Sequence, residues 1–237
     1  MSTSTAEETW LFLIPSRRPA PLIAIAVVAV VAVIVFGRFA VSSPAVSSWD
    51  AAVSHWFNLL HAGTLGFVAT ALYTVFEPPF AIAITVIASA VMWLVTRNLR
   101  LGISFGAVIA ITWLPTVIIK LLVHRPRPNP LTLAHPFAVQ PDASYPSGHV
   151  AFVTALVVAL ILLSRGRRFR WLVVTLGSLL VVALGVALVI DGVHFPTDVI
   201  ASMIWSAGLA PLVLFFWTRL VIPLFSRWSG ARRDQPR

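Results

Sequence analysis

The sequence predicts an all-α fold, a polytopic membrane helical bundle of about six transmembrane helices, and three observations predict it. First, 59% of the 237 residues are hydrophobic and only 11% charged, more apolar surface than a soluble domain of this length can bury. Second, the apolar residues come in uncharged runs of about twenty, the length an α-helix needs to cross a hydrocarbon core of roughly 30 Å. Third, the basic residues fall in short clusters between those runs. The formal charge of +9 therefore points to orientation in a membrane and contact with its lipids, not to nucleic acid. Cysteine is absent, which excludes a disulfide framework, a thiolate nucleophile and a zinc-cysteine site.

Residues 1–19 read as a polar cytoplasmic N-terminus. The first span, about 20–37, follows Arg17 and Arg18 and is too long for a signal-peptide core, so it reads as a retained anchor. Between Arg38 and Pro79 the pattern changes: Trp49, Trp56, Phe57, Leu59, Leu60, Leu65, Phe67 and Leu72 are interleaved with Ser, His, Asp and Gly. That mixture predicts interfacial amphipathic helices between the first two spans, with a short seventh span over 64–76 as the alternative. Further spans are expected at 79–96, 101–122, 147–164, 171–190 and 199–222. Together 20–222 form one membrane domain, followed by a basic cytoplasmic tail, 223–237. Arg97 and Arg100, the group Arg165, Arg167, Arg168 and Arg170, and the trailing Arg219, Arg227, Arg232 and Arg233 all fall on one side of this arrangement. By the positive-inside rule that side is cytoplasmic, and both termini lie there.

One basic cluster breaks the rule. Lys120 lies near the end of the third span, and His124, Arg125 and Arg127 follow it on the outward side. A cation at a helix centre costs about 2.5–3.5 kcal/mol on insertion scales, less near the ends, so it needs a partner or a task. Snorkelling would satisfy a lone lysine; here the neighbours suggest an anion. Tyr145-Pro146-Ser147-Gly148-His149 opens the fourth span, where free backbone N–H groups and the helix dipole favour an anion, although Pro-Ser-Gly is also an ordinary turn and cap. His194 and Asp198, four residues apart at the outer end of the fifth span, can form a pair in which the carboxylate fixes the imidazole tautomer and leaves the other nitrogen nucleophilic. All three segments reach one membrane face and bring cations, a helix N-terminus, two histidines and an orienting carboxylate, the parts phosphoryl transfer requires. Asp191 is expected to pair with an outward cation, Glu77 to begin a helix, and His55, His61 and His135 to be interfacial.

At these residues the chain resembles the type 2 phosphatidic acid phosphatase (PAP2) family, relatives of the vanadium haloperoxidases. The family's first motif, Lys, six residues, Arg-Pro, matches Lys120, Arg127 and Pro128; its second, Pro-Ser-Gly-His, matches Pro146 to His149. The third, Ser-Arg, five residues, His, three residues, Asp, matches at His194 and Asp198, while Ala187 and Leu188 stand at the Ser-Arg positions. The resemblance covers roughly residues 50–215. It implies that His194 attacks phosphorus to form a phosphohistidine, Asp198 orients it and His149 protonates the leaving oxygen. Lys120, Arg127, Ser147 and the Gly148 backbone would hold the phosphate. No cofactor and no metal is implied, and carboxylates near the site are too few for a two-metal cage. With Leu188 replacing an arginine, Arg125 is the nearest substitute: either it bends back to the phosphate or it pairs with lipid headgroups.

The leading expectation is an outer-face lipid phosphatase acting on a phosphate or pyrophosphate, such as an isoprenoid carrier diphosphate or a phosphatidate-like lipid. A phosphotransferase with the same nucleophile, and a lipid-binding homologue weakened by Leu188, are the alternatives. A transporter fits poorly, since the ionisable residues inside the expected spans, Lys120, His149 and Arg219, all lie near span ends.

Overall fold

The computed structural model describes residues 18–137 and 140–224, and no β-strand occurs among them. Arg17 with the N-terminal segment, and Arg227, Arg232 and Arg233 in the basic tail, lie outside the described residues. Among the described residues, five stretches are long and apolar enough to cross a membrane: Pro19–Ser42, Pro78–Thr96, Leu99–Val123, Arg170–Ile190 and Pro196–Leu224. The remaining expected span is the 16-residue helix Gly148–Leu163, about 24 Å long at 1.5 Å per residue.

Helix starts follow local chemistry. Helix α1 (Pro19–Ser42) opens on a proline, whose missing N–H would be unpaired there anyway. Ser43 then caps α2 (Pro44–Asn58) by accepting from the Val46 N–H at 3.5 Å. After α3 (Gly63–Val75), Glu77 precedes α4 (Pro78–Thr96) as its N-terminal flank, as expected, without a side-chain cap bond. Asn98 caps α5 (Leu99–Trp113) through the Leu101 N–H at 3.2 Å. The third expected span is interrupted at Leu114-Pro115 before α6 (Thr116–Val123) resumes it, because proline cannot donate to the preceding turn. The Thr112 carbonyl beside the break accepts from the Trp205 indole at 2.9 Å. His124 in the left-handed conformation (φ 52°) ends α6.

Helix α7 (Gly148–Leu163) forms the centre of the bundle with α9 (Pro196–Phe216); α8 is Arg170–Ile190. Consecutive residues Val150 to Ala155 are all buried, so α7 has protein on every side and a uniformly apolar surface suits it. Helices α5, α8 and α9 pack on α7, α1 packs on α9, and α4 packs on α5. By contrast α4 buries only Ala81 and presents Ile82, Val86, Ile87 and Val95 outward. Close approach of α1 uses small residues: Gly208 of α9 faces Ala29, and Gly37 faces the Tyr145 ring.

At 13 residues α3 covers about 20 Å, too short to cross the hydrocarbon core alone. Trp49, Trp56, Leu59 and Phe67 face outward from the α2–α3 region, as an interfacial segment requires. The inner face of α2 holds a surprise: its buried residues are Asp50, Ser54 and Asn58. Polar groups, not apolar ones, meet the protein here, and they fix the loops that carry the site.

Candidate active site

Four segments meet at one end of the bundle: the end of α6, the start of α7, the α8–α9 turn and the end of α1 with α2. The Ser147 N–H donates to the Asp198 carbonyl at 3.5 Å, tying the starts of α7 and α9 together. The Tyr145 hydroxyl donates to the Val33 carbonyl of α1 at 2.6 Å. Asn58 donates to the carbonyls of His135 and Ile190, both at 3.0 Å, and accepts the His135 N–H at 2.8 Å. Side chains far apart in sequence are thereby held on common ground. Arg97, Arg100 and the arginines of 165–170 sit at the opposite helix ends, around the starts of α5 and α8.

His194 is fully buried in the turn after α8. Its Nδ1 faces Asp198 Oδ2 at 3.5 Å, without the alignment of a hydrogen bond. Its Nε2 accepts from Arg127 Nη1 at 3.3 Å, which assigns the ring proton to Nδ1. Burial first, then the positive charges of Arg127, Lys120 and His149, push this imidazole well below its usual pKa of 6.5. At neutral pH the ring is uncharged, with its Nε2 lone pair turned to Arg127.

Arg127 also donates to the Val193 carbonyl at 2.7 Å and to Asp142 Oδ1 at 2.6 Å. Lys120 reaches the other oxygen of the same carboxylate at 2.7 Å. Partial burial raises the Asp142 carboxyl, but the hydrogen bonds and charges of Lys120 and Arg127 outweigh it and hold it at about 2. The two first-motif cations thus converge on one anionic group beside His194. A cavity of about 320 Å³ opens next to Arg127, lined by Pro128, Asn129, Leu133, Phe137, Gln140 and Val193.

Ser147 caps α7, its hydroxyl oxygen accepting from the Val150 N–H at 3.4 Å, and Gly148 is the first helical residue. His149 follows, its ring 4.6 Å from that of Tyr73 and its buried Nε2 without a hydrogen-bond partner. Tyr73 in turn stacks 4.8 Å from Phe137, which borders the cavity.

Arg125 does not bend back toward Lys120 and Arg127, and it is not at the lipid surface. Only 3% exposed, its guanidinium binds Asp50 at 2.6 Å, Asp198 at 2.7 Å and the Thr197 hydroxyl at 2.6 Å, above the Phe195 ring. Burial opposes its charge, but the carboxylates of Asp198 and Asp50 outweigh that and raise its pKa. Two carboxylates in a dry site outbid a distant anion for one planar fork. Leu188 is fully buried in the core, and its carbonyl accepts the N–H groups of Val193 at 3.1 Å and His194 at 3.4 Å. This position supports the His194 turn through its backbone and supplies no cation.

Asp191 is the other expectation to correct. Its Oδ1 lies 3.1 Å from His61 Nε2 and accepts from Thr70 at 3.2 Å, so its partner is a histidine of the α2–α3 link. Burial raises its carboxyl to about 7, against the opposing Thr70 hydrogen bond. His135 is stacked 6.0 Å from His61, and His55 Nδ1 is 2.9 Å from the Thr132 carbonyl. Sequence reasoning missed Asp50, Asp142 and Thr197. Asp50, Ser54 and Asn58 do recur every four residues, a polar helical stripe that could have marked an inward face.

A model of the PAP2 superfamily matches residues 101–221. Among solved structures, the first transmembrane PAP2 type phosphatidylglycerolphosphate phosphatase from Bacillus subtilis shares the fold, with a TM-score of 0.65 at 24% identity, over 86% of this chain and 95% of that one. No curated protein matches the sequence.

Proposed function

Because this chain belongs to the PAP2 superfamily, we propose that it is an integral membrane phosphatase that hydrolyses a lipid phosphate or pyrophosphate through a phosphohistidine at His194. The observation that carries this reading is the convergence of Lys120 and Arg127 on a single carboxylate beside the His194 ring. Cations arranged to grip one anion, next to a neutral and oriented imidazole, suit attack on phosphorus.

In the first half-reaction His194 Nε2 attacks, and the N–P bond forms as the bond from phosphorus to the leaving oxygen breaks. His149, protonated for this step, gives its proton to that oxygen, so an alcohol departs neutral and a phosphate departs with one negative charge fewer. Lys120, Arg127 and the free N–H groups at the start of α7, with the Ser147 hydroxyl, stabilise the equatorial oxygens. His149 then accepts a proton from water as the water attacks phosphorus, releasing phosphate and restoring His194. No step requires a metal. The arginine clusters at the far helix ends support an extracytoplasmic site, and the outward apolar surface supports a substrate whose tail stays in the bilayer.

The test is phosphate release from a panel of lipid monophosphates and diphosphates in detergent with a chelator present. Release that persists in chelator is expected; a protein inactive on the whole panel, or one silenced by chelator, contradicts the reading.

Two smaller effects follow from the site's charges. Since a depressed histidine pKa leaves the ring neutral until the pH falls well under 6.5, kcat/KM measured on the wild type should not lose tenfold per pH unit just below 6.5. A slope of that size there would show that His194 titrates normally. Asp142, half exposed at its side chain, competes with phosphate for Lys120 and Arg127. Asp142→Asn should therefore tighten inhibition by inorganic phosphate, by about three- to tenfold for a partly screened pair; weaker inhibition would mean that Asp142 chiefly organises the two cations.

A further inference from the structure

We propose that Arg125 and Asp50 are positioning residues that act on the nucleophile through Asp198, an inference that rests on the reading of His194 above. Asp198 has no exposed surface, and each of its oxygens has a separate duty. Oδ2 accepts the Phe195 N–H at 2.9 Å and faces His194 Nδ1 at 3.5 Å. Oδ1 accepts from Arg125 Nη1 at 2.7 Å. The rotation of the carboxylate about its bond, and so the direction in which Oδ2 points, is set by what holds Oδ1.

The clamp on Oδ1 is itself clamped. Arg125 Nη2 donates to Asp50 Oδ2 at 2.6 Å, while the Thr197 N–H donates to Asp50 Oδ1 at 3.3 Å and the Thr197 hydroxyl donates to Asp50 Oδ2. The guanidinium lies 4.2 Å above the Phe195 ring, which blocks rotation out of plane. Asp50 is as buried as Asp198 and comes from α2, so it links that helix to the α6–α7 loop at Arg125 and to the start of α9 at Thr197. A planar fork satisfies two buried carboxylates at once, which a lysine ammonium cannot do with the same geometry. A purely architectural ion pair would not need to end on the one carboxylate that faces the nucleophile. A phosphate ligand would not be turned away from Lys120 and Arg127, which share Asp142 instead.

A positioning role predicts a split between rate and binding. In Arg125→Ala and Asp50→Asn, kcat for phosphate release should fall about 30- to 100-fold, as when the group orienting a reactive residue is removed. KM and the inhibition constant for inorganic phosphate should stay within about threefold, because Lys120 and Arg127 are untouched. Arg125→Lys should recover less than about a tenth of the wild-type rate, as a point charge cannot bridge both carboxylates. In an Asp198→Asn background, Arg125→Ala should cost no more than about a further threefold, since the two act in series. Should Arg125→Ala not fold in detergent, Asp50→Asn and Arg125→Lys carry the same comparison. The inference is overturned by phosphate inhibition weakening in step with kcat, by kcat within about threefold of wild type, or by full multiplication of losses in the double variant. Wild-type inactivity on lipid phosphates, or an active His194→Ala, would instead remove the functional reading underneath, so the two failures are distinguishable.

Discussion

Replacing His194 with alanine should remove phosphate release, with kcat lowered by at least about a thousandfold, the scale at which covalent catalysis gives way to what binding alone provides. The residue is fully buried and uncharged near neutrality, with its proton assigned to Nδ1 and its Nε2 beside Arg127. Among the described residues nothing else at this end of the bundle has that combination. Lys120 and Arg127 are committed as cations, and the carboxylates of Asp50 and Asp198 are both held by Arg125. KM should change little in His194→Ala because the first-motif cations remain, so a lipid phosphate should still bind and compete. Retained turnover would assign the nucleophile elsewhere. Loss of binding together with turnover would mean that the substitution had collapsed the turn after α8.

His149→Ala should give the second-largest loss, and one that depends on the leaving group. For a lipid alkoxide, a poor leaving group, loss of the general acid should lower kcat by about a hundred- to ten-thousandfold. For an aryl phosphate whose phenolate leaves without a proton, the loss should be about tenfold or less. The ratio of the two losses, measured in the same detergent preparation, reports proton donation directly. An equal loss on both substrates would reduce His149 to a packing or phosphate-binding residue, consistent only with its contact to Tyr73.

Much of this architecture is legible in the sequence because the signals are local. Apolar runs fix the spans to within a few residues, Pro19, Pro78 and Pro196 mark helix starts, and Ser147-Gly148 marks the start of α7. The interruption at Pro115 could have been read from proline's missing donor. Long-range choices were not legible. Asp50 lies 75 residues from Arg125 and 147 from Thr197, and no periodicity records which of several carboxylates a given arginine will bind. Arg125 and Arg127 are two residues apart and chemically identical, yet His124 turns the chain after α6 so that one guanidinium enters the buried carboxylates and the other faces His194. Leu188 shows the same limit from the other side. Its side chain joins the core while its carbonyl still supports the His194 turn, a backbone role that any residue type could fill. Asp191 went to His61 because burial discourages its charge, and the His61 ring and the Thr70 hydroxyl are the polar groups within reach of its Oδ1.

The claim on which the rest depends is that phosphate passes through a nitrogen of His194. Its most direct test is to mix the detergent-solubilised protein with a lipid phosphate labelled at phosphorus, quench in alkali, where phosphohistidine survives, and locate the label by peptide mass spectrometry. Label on His194 in the wild type, absent from His194→Ala and lost on brief acid treatment, is the predicted result. Turnover without any labelled protein, or label at His149 or at a serine, would contradict it.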